Sequence, residues 1–226
     1  KINTLEDPVE FSLDGVRQSQ VMSKIGLGFS ELLRNVLRQA PDIIMVGEIR
    51  DEDTAHTAVR AANSGHLVLA TLHSPVAASA VQSMLALGSS PFFLSSCLLG
   101  VVAQRLVRTL CPQCRVSYDV SESPQTFEEV RELLEEGEGT AIHGPSGCPE
   151  CFQQGYSGRT GLFEVMTMNQ EIRRLVAASR PAAEIQQAAV KAGVSADLLR
   201  PFRSMLRGWA QGTSLESLRE ELRVSV

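Results

Sequence analysis

The fold is decided by the stretch Asp42-Ile43-Ile44-Met45-Val46-Gly47-Glu48, in which four consecutive apolar residues stand between an acid and a glycine. A short continuous apolar run of this kind is typical of a strand covered on both faces, as in a parallel sheet. Ligands of open α/β sheets bind beyond the carboxyl ends of the strands. The carboxylate of Glu48 is therefore placed to hold the water shell of Mg²⁺. The alternative, for this stretch alone, is a strand followed by a solvated turn.

Strand and helix signals alternate on both sides of this stretch over residues 1–110. The spacing predicts βαβ units with right-handed crossovers. We predict four strands, at 2–5, 43–46, 67–72 and 162–166. We predict helices that start at Ser30, Asn169 and Pro181, and further helices over 51–65, 76–87 and 92–110.

A second acid cluster and two histidines belong to the same predicted sheet. Glu6, Asp7 and Glu10 follow the first strand, so one carboxylate could hold a metal while another orients or deprotonates water. His66 and His73 bracket the strand at 67–72, and only His73 is at its carboxyl end. The alternatives are acids that are merely exposed and histidines that are structural.

Four of the five cysteines form two C-x-x-C pairs, Cys111 with Cys114 and Cys148 with Cys151. Two such pairs place four thiolates around a structural Zn²⁺, which leaves no open position for catalysis. The alternative, two disulfides, needs an oxidising compartment. Cys97 stands alone on an apolar helix and is predicted to be a core residue.

Composition argues against a nucleic-acid-binding protein and against a membrane-spanning one. The chain has 226 residues and a net charge of −5, which suits one or two domains and does not demand a nucleic-acid partner. A zinc-ribbon nucleic-acid binder is disfavoured further by the lack of a basic and aromatic patch. The most apolar stretch, residues 92–107, is too short and too polar to span a bilayer, so any membrane association is expected to be peripheral.

Six segments, in order, resemble the ATPases of bacterial type II secretion and type IV pilus assembly. They correspond to that family's aspartate box (4–10), Walker B segment (37–51), histidine box (65–73), approach to the tetracysteine element (103–114) and two shorter matches (158–161 and 213–216). Ser64 and the pair Ser74-Pro75 depart from the residues usual in the family. Pro75 removes a backbone donor right after His73, which puts the fine nucleotide contacts there in question.

The resemblance implies an α/β fold: a partial RecA-like P-loop NTPase core over residues 1–110, a tetracysteine zinc element over 111–160 and a C-terminal helical subdomain over 161–226. It implies that Glu6 is the catalytic base and that Glu48 is the Walker B acid beside Mg²⁺. It also implies that Asp7, His66, His73 and Arg105 contact ATP. The implied assembly is a homo-hexamer in the cytoplasm, docked on a platform protein at the inner face of the bacterial inner membrane.

No stretch of the sequence matches the phosphate-binding loop G-x-x-x-x-G-K-S/T. In the family this loop lies upstream of the aspartate box, so we expect the chain to be a fragment and to be inactive alone. Without the amide cradle and the lysine, affinity for a triphosphate is expected to collapse. The alternative function is a non-catalytic, zinc-stabilised module that docks on a secretion or pilus membrane platform.

Overall fold

The computed structural model describes residues 1–122 and 139–194. It divides the chain into two compact units, one formed by residues 1–101 and 167–189 and the other by the described parts of 102–166 and 190–226. The domain boundaries predicted after residues 110 and 160 stay a prediction; the strands around those two positions pair with each other. The sequence also predicts an acidic helix at 127–136; that segment and the match at 213–216 lie outside the described residues.

The first unit contains a sheet of four parallel strands in the order β2-β1-β3-β4. The apolar run of the opening stretch is β3, as predicted; Ile44 and Val46 on one face are fully buried, whereas Ile43 and Met45 on the other face are half-buried. Full burial of such a side chain contributes about 1.5–3 kcal/mol. The strands are β1 (Ile2–Glu6), β2 (Val16–Gln20), β3 (Ile43–Val46) and β4 (Leu67–Ala70). The polar strand β2 is absent from the sequence prediction.

Six α-helices complete the described part of the first unit. Asp51 caps α2 by accepting from the Thr54 N–H at 2.8 Å, and Asn169 caps α5 by accepting from the Ile172 N–H at 2.8 Å. The sequence predicts a helix start at both residues. The helix predicted to start at Ser30 begins earlier, because Gly28 occupies the N-cap position. The helices are α1 (Phe29–Leu37), α2 (Glu52–Asn63), α3 (Ala77–Ala86), α4 (Pro91–Cys97), α5 (Gln170–Ala177) and α6 (Ala182–Ala189).

The prediction of one helix over residues 92–110 is wrong. Helix α4 ends at Cys97, and Gly100–Leu110 forms strand β5. Exposed and less exposed residues alternate along the first part of this strand, the period of two that a strand imposes. Valine at 101, 102 and 107 favours the same conformation. The apolar content of the segment had concealed this alternation.

The described part of the second unit contains two separate two-stranded sheets. Strand β5 pairs with β8 (Tyr156–Thr167), which includes and exceeds the strand predicted at 162–166. Strands β6 (Val116–Asp119) and β7 (Ala141–Gly144) form an antiparallel pair. Among the helices that the structure describes, none has the length and apolarity that crossing a membrane requires.

Candidate functional site

Glu48 is the centre of a charged cluster just beyond the carboxyl end of β3. Its side chain is 15% exposed; one oxygen, Oε1, lies 2.6 Å from Nη2 of Arg50 and the other, Oε2, lies 3.5 Å from Nε2 of His73. His73 follows β4, the neighbouring strand, so two strands contribute to one cluster. The predicted proximity of Glu48 and His73 is therefore present in the structure.

Gly47 allows the ends of β1 and β3 to approach each other. Its N–H donates to the Leu5 carbonyl at 2.7 Å, and a Cβ at this position would lie 2.8 Å from that oxygen. Its own carbonyl accepts from the Thr71 hydroxyl at 2.5 Å, which fixes the segment after β4 as well. A side chain at position 47 would push the backbone of β3 away from that of β1. The glycine therefore allows the ends of β1, β3 and β4 to lie close together.

Glu6 lies at the end of β1, on the other side of Gly47 from β4. Its Oε1 accepts hydrogen bonds from the Thr4 hydroxyl and, at 2.9 Å, from Nε2 of Gln18. None of the residues that the structure describes donates to its Oε2. The Glu6 carboxylate is thus fixed by two hydrogen bonds to Oε1, while Oε2 accepts no hydrogen bond from the described residues.

The remaining predicted nucleotide contacts occupy different places. Asp7 is exposed directly after β1. His66 lies at the amino end of β4, where its Nδ1 is 3.0 Å from the Ala61 carbonyl oxygen at the end of α2. Arg105 is a half-buried residue of β5, in the second unit. The structure therefore brings Glu48 and His73 into contact and leaves the roles of the other three as predictions.

The four paired cysteines come together as one cluster in the second unit. Their sulfur atoms all lie within 4.8 Å of one another. The Sγ–Sγ distances are 3.9 Å for Cys111 and Cys148, 3.8 Å for Cys114 and Cys151, and 3.7 Å for Cys148 and Cys151. A tetrahedral Zn²⁺ with bonds of about 2.3 Å requires sulfur atoms about 3.8 Å apart. The observed spacing fits that geometry.

Backbone N–H groups point at two of these sulfurs. Gly147 donates to Cys114 at 3.3 Å, while Cys148 and Gly155 donate to Cys151 at 3.3 and 3.2 Å. Burial acts to raise the pKa of Cys151, but these N–H groups and the neighbouring thiols outweigh it and lower that pKa to about 6. Burial and the adjacent thiols raise the pKa of Cys114 to about 11. The cluster therefore already stabilises a thiolate, the form that binds metal.

Residues 1–218 match the family model for type II/IV secretion system proteins. The chain belongs to this family. It is 46% identical over 224 residues to the type II secretion system protein HxcR of Pseudomonas aeruginosa, covering 99% of this chain and 42% of that protein. It is 42% identical over 221 residues to the type IV pilus assembly ATPase TfpB of Acinetobacter baylyi, covering 98% of this chain and 36% of that one. The resemblance read from the sequence motifs is confirmed.

Solved structures agree with this assignment. The pilus retraction motor PilT with bound ADP matches at a TM-score of 0.63 and 25% identity, covering 97% of this chain and 52% of PilT. The ATPase DotB of Legionella pneumophila matches at a TM-score of 0.61 and 22% identity, over 100% of this chain and 52% of DotB, and shows the fold alone. The chain thus spans between a third and a little over half of the relatives it matches.

The sequence prediction missed Gln18 and Gly47, which organise the site. Gln18 lies in β2, whose polar sequence does not look like a sheet strand. A signal was available, because Gln18 and Gln20 stand two positions apart and so share a strand face after an acid cluster. Gly47 could have been singled out as the residue that separates an apolar strand from its functional acid.

Proposed function

We propose that the chain is the part of a hexameric secretion or pilus ATPase that carries the Walker B acid and the catalytic base. The polypeptide that contains it would hydrolyse ATP with Mg²⁺ to drive type II protein secretion or type IV pilus assembly. The chain alone would be inactive, because its sequence has no phosphate-binding loop.

The observation that carries this proposal is the placement of Glu6 as the last residue of β1 and of Glu48 just beyond the end of the adjacent strand β3. Glu48, with His73 beside it, would hold the water shell of Mg²⁺, which prefers few carboxylates together with phosphate oxygens. The metal ion would neutralise charge that develops on the phosphates. Glu6 would accept the proton of the attacking water through Oε2. Asp7, His66 and Arg105 would add nucleotide contacts.

The cysteine cluster would hold a structural zinc ion with Cys111, Cys114, Cys148 and Cys151. The spacing of the sulfurs and the closed set of four thiols support this assignment. Its contribution would be to stabilise the second unit, since four thiol ligands leave no position for a substrate.

We further propose a homo-hexamer in the cytoplasm, peripheral at the inner membrane and docked on a platform protein, with no nucleic-acid partner. The names of the relatives support the secretion or pilus setting. The family resemblance supports the ring and the docking.

The test is ATP turnover by the full polypeptide that contains this chain. We expect Glu48→Gln and Glu6→Gln each to lower kcat by about 10²-fold or more, the usual contribution of a positioned acid or base, while ATP still binds. Glu31→Gln is the matched control: Glu31 is an exposed acid on α1 whose ion-pair partner among the described residues is Arg34. Turnover that survives both site substitutions would contradict the proposal.

A second candidate is a non-catalytic, zinc-stabilised module that docks on a membrane platform. One observation favours it: the cysteine cluster is complete within the chain, whereas the sequence lacks the phosphate-binding loop. Equilibrium ATP binding by the chain itself separates the two. Micromolar affinity would count against the module, and platform binding by a chain with no affinity for ATP would support it.

A further inference from the structure

Gln18 uses every hydrogen-bonding group of its side-chain amide. Its Nε2 donates to Oε1 of Glu6 and to the Phe11 carbonyl, each at 2.9 Å, and its Oε1 accepts from the Leu13 N–H at 2.7 Å. The side chain therefore joins β2 both to the carboxylate at the end of β1 and to the loop that connects the two strands.

The strand register explains why this amide reaches Glu6. Gln18 pairs with Thr4 across the parallel ladder, and Glu6 is two residues beyond Thr4 on the same strand face. Thr4 and Gln18 thus stand side by side and donate to the same oxygen, Oε1. Because both donors act on one oxygen, the carboxylate is oriented while Oε2 is left for another partner.

We propose that Gln18 is a positioning residue for Glu6, assisted by Thr4. Together they would fix the carboxylate so that Oε2 faces the reacting water. This inference rests on the proposed function, in which Glu6 is the base. A base held within hydrogen-bond reach of its proton contributes far more than a freely rotating one, so loss of either donor weakens catalysis.

Gln18 also bonds to the backbone of Phe11 and Leu13 in the loop between β1 and β2. The experiment must separate the effect of these loop contacts from the effect on Glu6. The Phe11 and Leu13 side chains are 75% and 53% exposed, so packing of those side chains does not hold the loop. Gln20 also ties this loop to β2, because its Oε1 accepts from the Val9 N–H at 3.2 Å. Gln20 is the ladder partner of Glu6, but among the described residues its side chain makes no hydrogen bond to the Glu6 carboxylate, which makes it the matched control.

The test compares Gln18→Met, Thr4→Val and Gln20→Met by two measurements. The first is the ¹³C signal of the Glu6 side-chain carboxyl in this chain, assigned by its loss in Glu6→Gln. The second is kcat and KM for ATP in the full polypeptide. We expect Gln18→Met and Thr4→Val to shift the carboxyl signal and to lower kcat about tenfold, the loss expected for one hydrogen bond to a charged group, with KM nearly unchanged. Gln20→Met should alter neither.

Gln18→Glu keeps the acceptor for the Leu13 N–H, loses both donors and places a second carboxylate beside Glu6. It should lower kcat at least as far as Gln18→Met while the chain stays folded. The proposal is overturned if kcat falls equally in Gln18→Met and Gln20→Met, or if Thr4→Val and Gln18→Met leave the carboxyl signal in place. Absence of ATP turnover by the full polypeptide would contradict the proposed function. The ¹³C signal of the Glu6 carboxyl would still show whether Gln18 holds that carboxylate in place.

Discussion

Nε2 of His73 lies 3.5 Å from Oε2 of Glu48, which joins the segment after β4 to the segment after β3. The contact is asymmetric, because the Glu48 side chain is 15% exposed and that of His73 is 88% exposed. Glu48 is therefore largely covered by the protein, whereas the imidazole of His73 lies at the surface. A ligand at this surface could contact both side chains.

Replacement of His73 by alanine should lower ATP turnover by the full polypeptide up to about fivefold, because Glu48 loses a contact with an exposed side chain, which is worth about 1 kcal/mol or less. Steady-state kcat and KM measure the effect. His56→Gln is the control, since His56 is an exposed residue of α2 that contacts the Gly88 carbonyl at 2.5 Å instead. Equal losses in the two variants would mean that His73 has no special role.

Gly47→Ala should destabilise the chain by about 1–3 kcal/mol, the usual cost of overpacking. The new Cβ would stand 2.8 Å from the Leu5 carbonyl oxygen, and backbone cannot move aside as a flexible side chain can. Gly28→Ser is the matched control, because a Cβ at Gly28 meets nothing within 4 Å and serine is a favoured N-cap. Urea denaturation midpoints compare the two, and an unchanged midpoint for Gly47→Ala would contradict the close approach.

The fold and half of the site could be predicted because their signals are local. The apolar run of β3 and the acids that begin α2 at Asp51 can be recognised in the sequence, and the structure confirms the strand and the helix. The cysteine cluster was predictable from spacing. The role that we propose for Gln18 is harder to predict, because it depends on the parallel register that places Gln18 beside Thr4. Residues 100–110 were mistaken for a helix since their apolar content hides an alternation that pairing with β8 reveals.

Zinc content should depend on the four clustered cysteines and not on Cys97. We expect Cys114→Ser and Cys148→Ser to abolish binding of one equivalent of zinc, because a three-thiol set leaves the tetrahedron incomplete. Cys97→Ser should retain the metal, since this residue ends α4 and lies outside the cluster. Elemental analysis after dialysis against a weak chelator measures this. Zinc lost equally from all three variants would contradict the assignment.

The metal-free chain should gain stability as pH rises from about 6 towards 9, through Cys151. Its pKa is lowered to about 6 from an ordinary value of 9.0, so its contribution is present above 9 and is lost as pH falls through 6. Cys114 acts oppositely, because its pKa is raised to about 11 and its contribution is lost as pH rises through that value.

The measurement for this pH dependence is the free energy of unfolding in chelator, taken as the difference between the chain and its Cys114→Ser, Cys151→Ser double variant. That difference should be largest near pH 9, between the two windows. A difference that does not change with pH would show that the thiols are not perturbed as described.

The central claim is that Glu6 and Glu48 form the acidic part of one nucleotide site at the carboxyl ends of β1 and β3. A structure of the full polypeptide with Mg²⁺ and a non-hydrolysable ATP analogue tests it most directly. We predict that a water bound to Mg²⁺ lies within about 3 Å of the Glu48 carboxylate, with Oε2 of Glu6 turned towards the γ-phosphate. A nucleotide bound away from both carboxylates, with Glu48 still paired only to Arg50 and His73, would contradict the account.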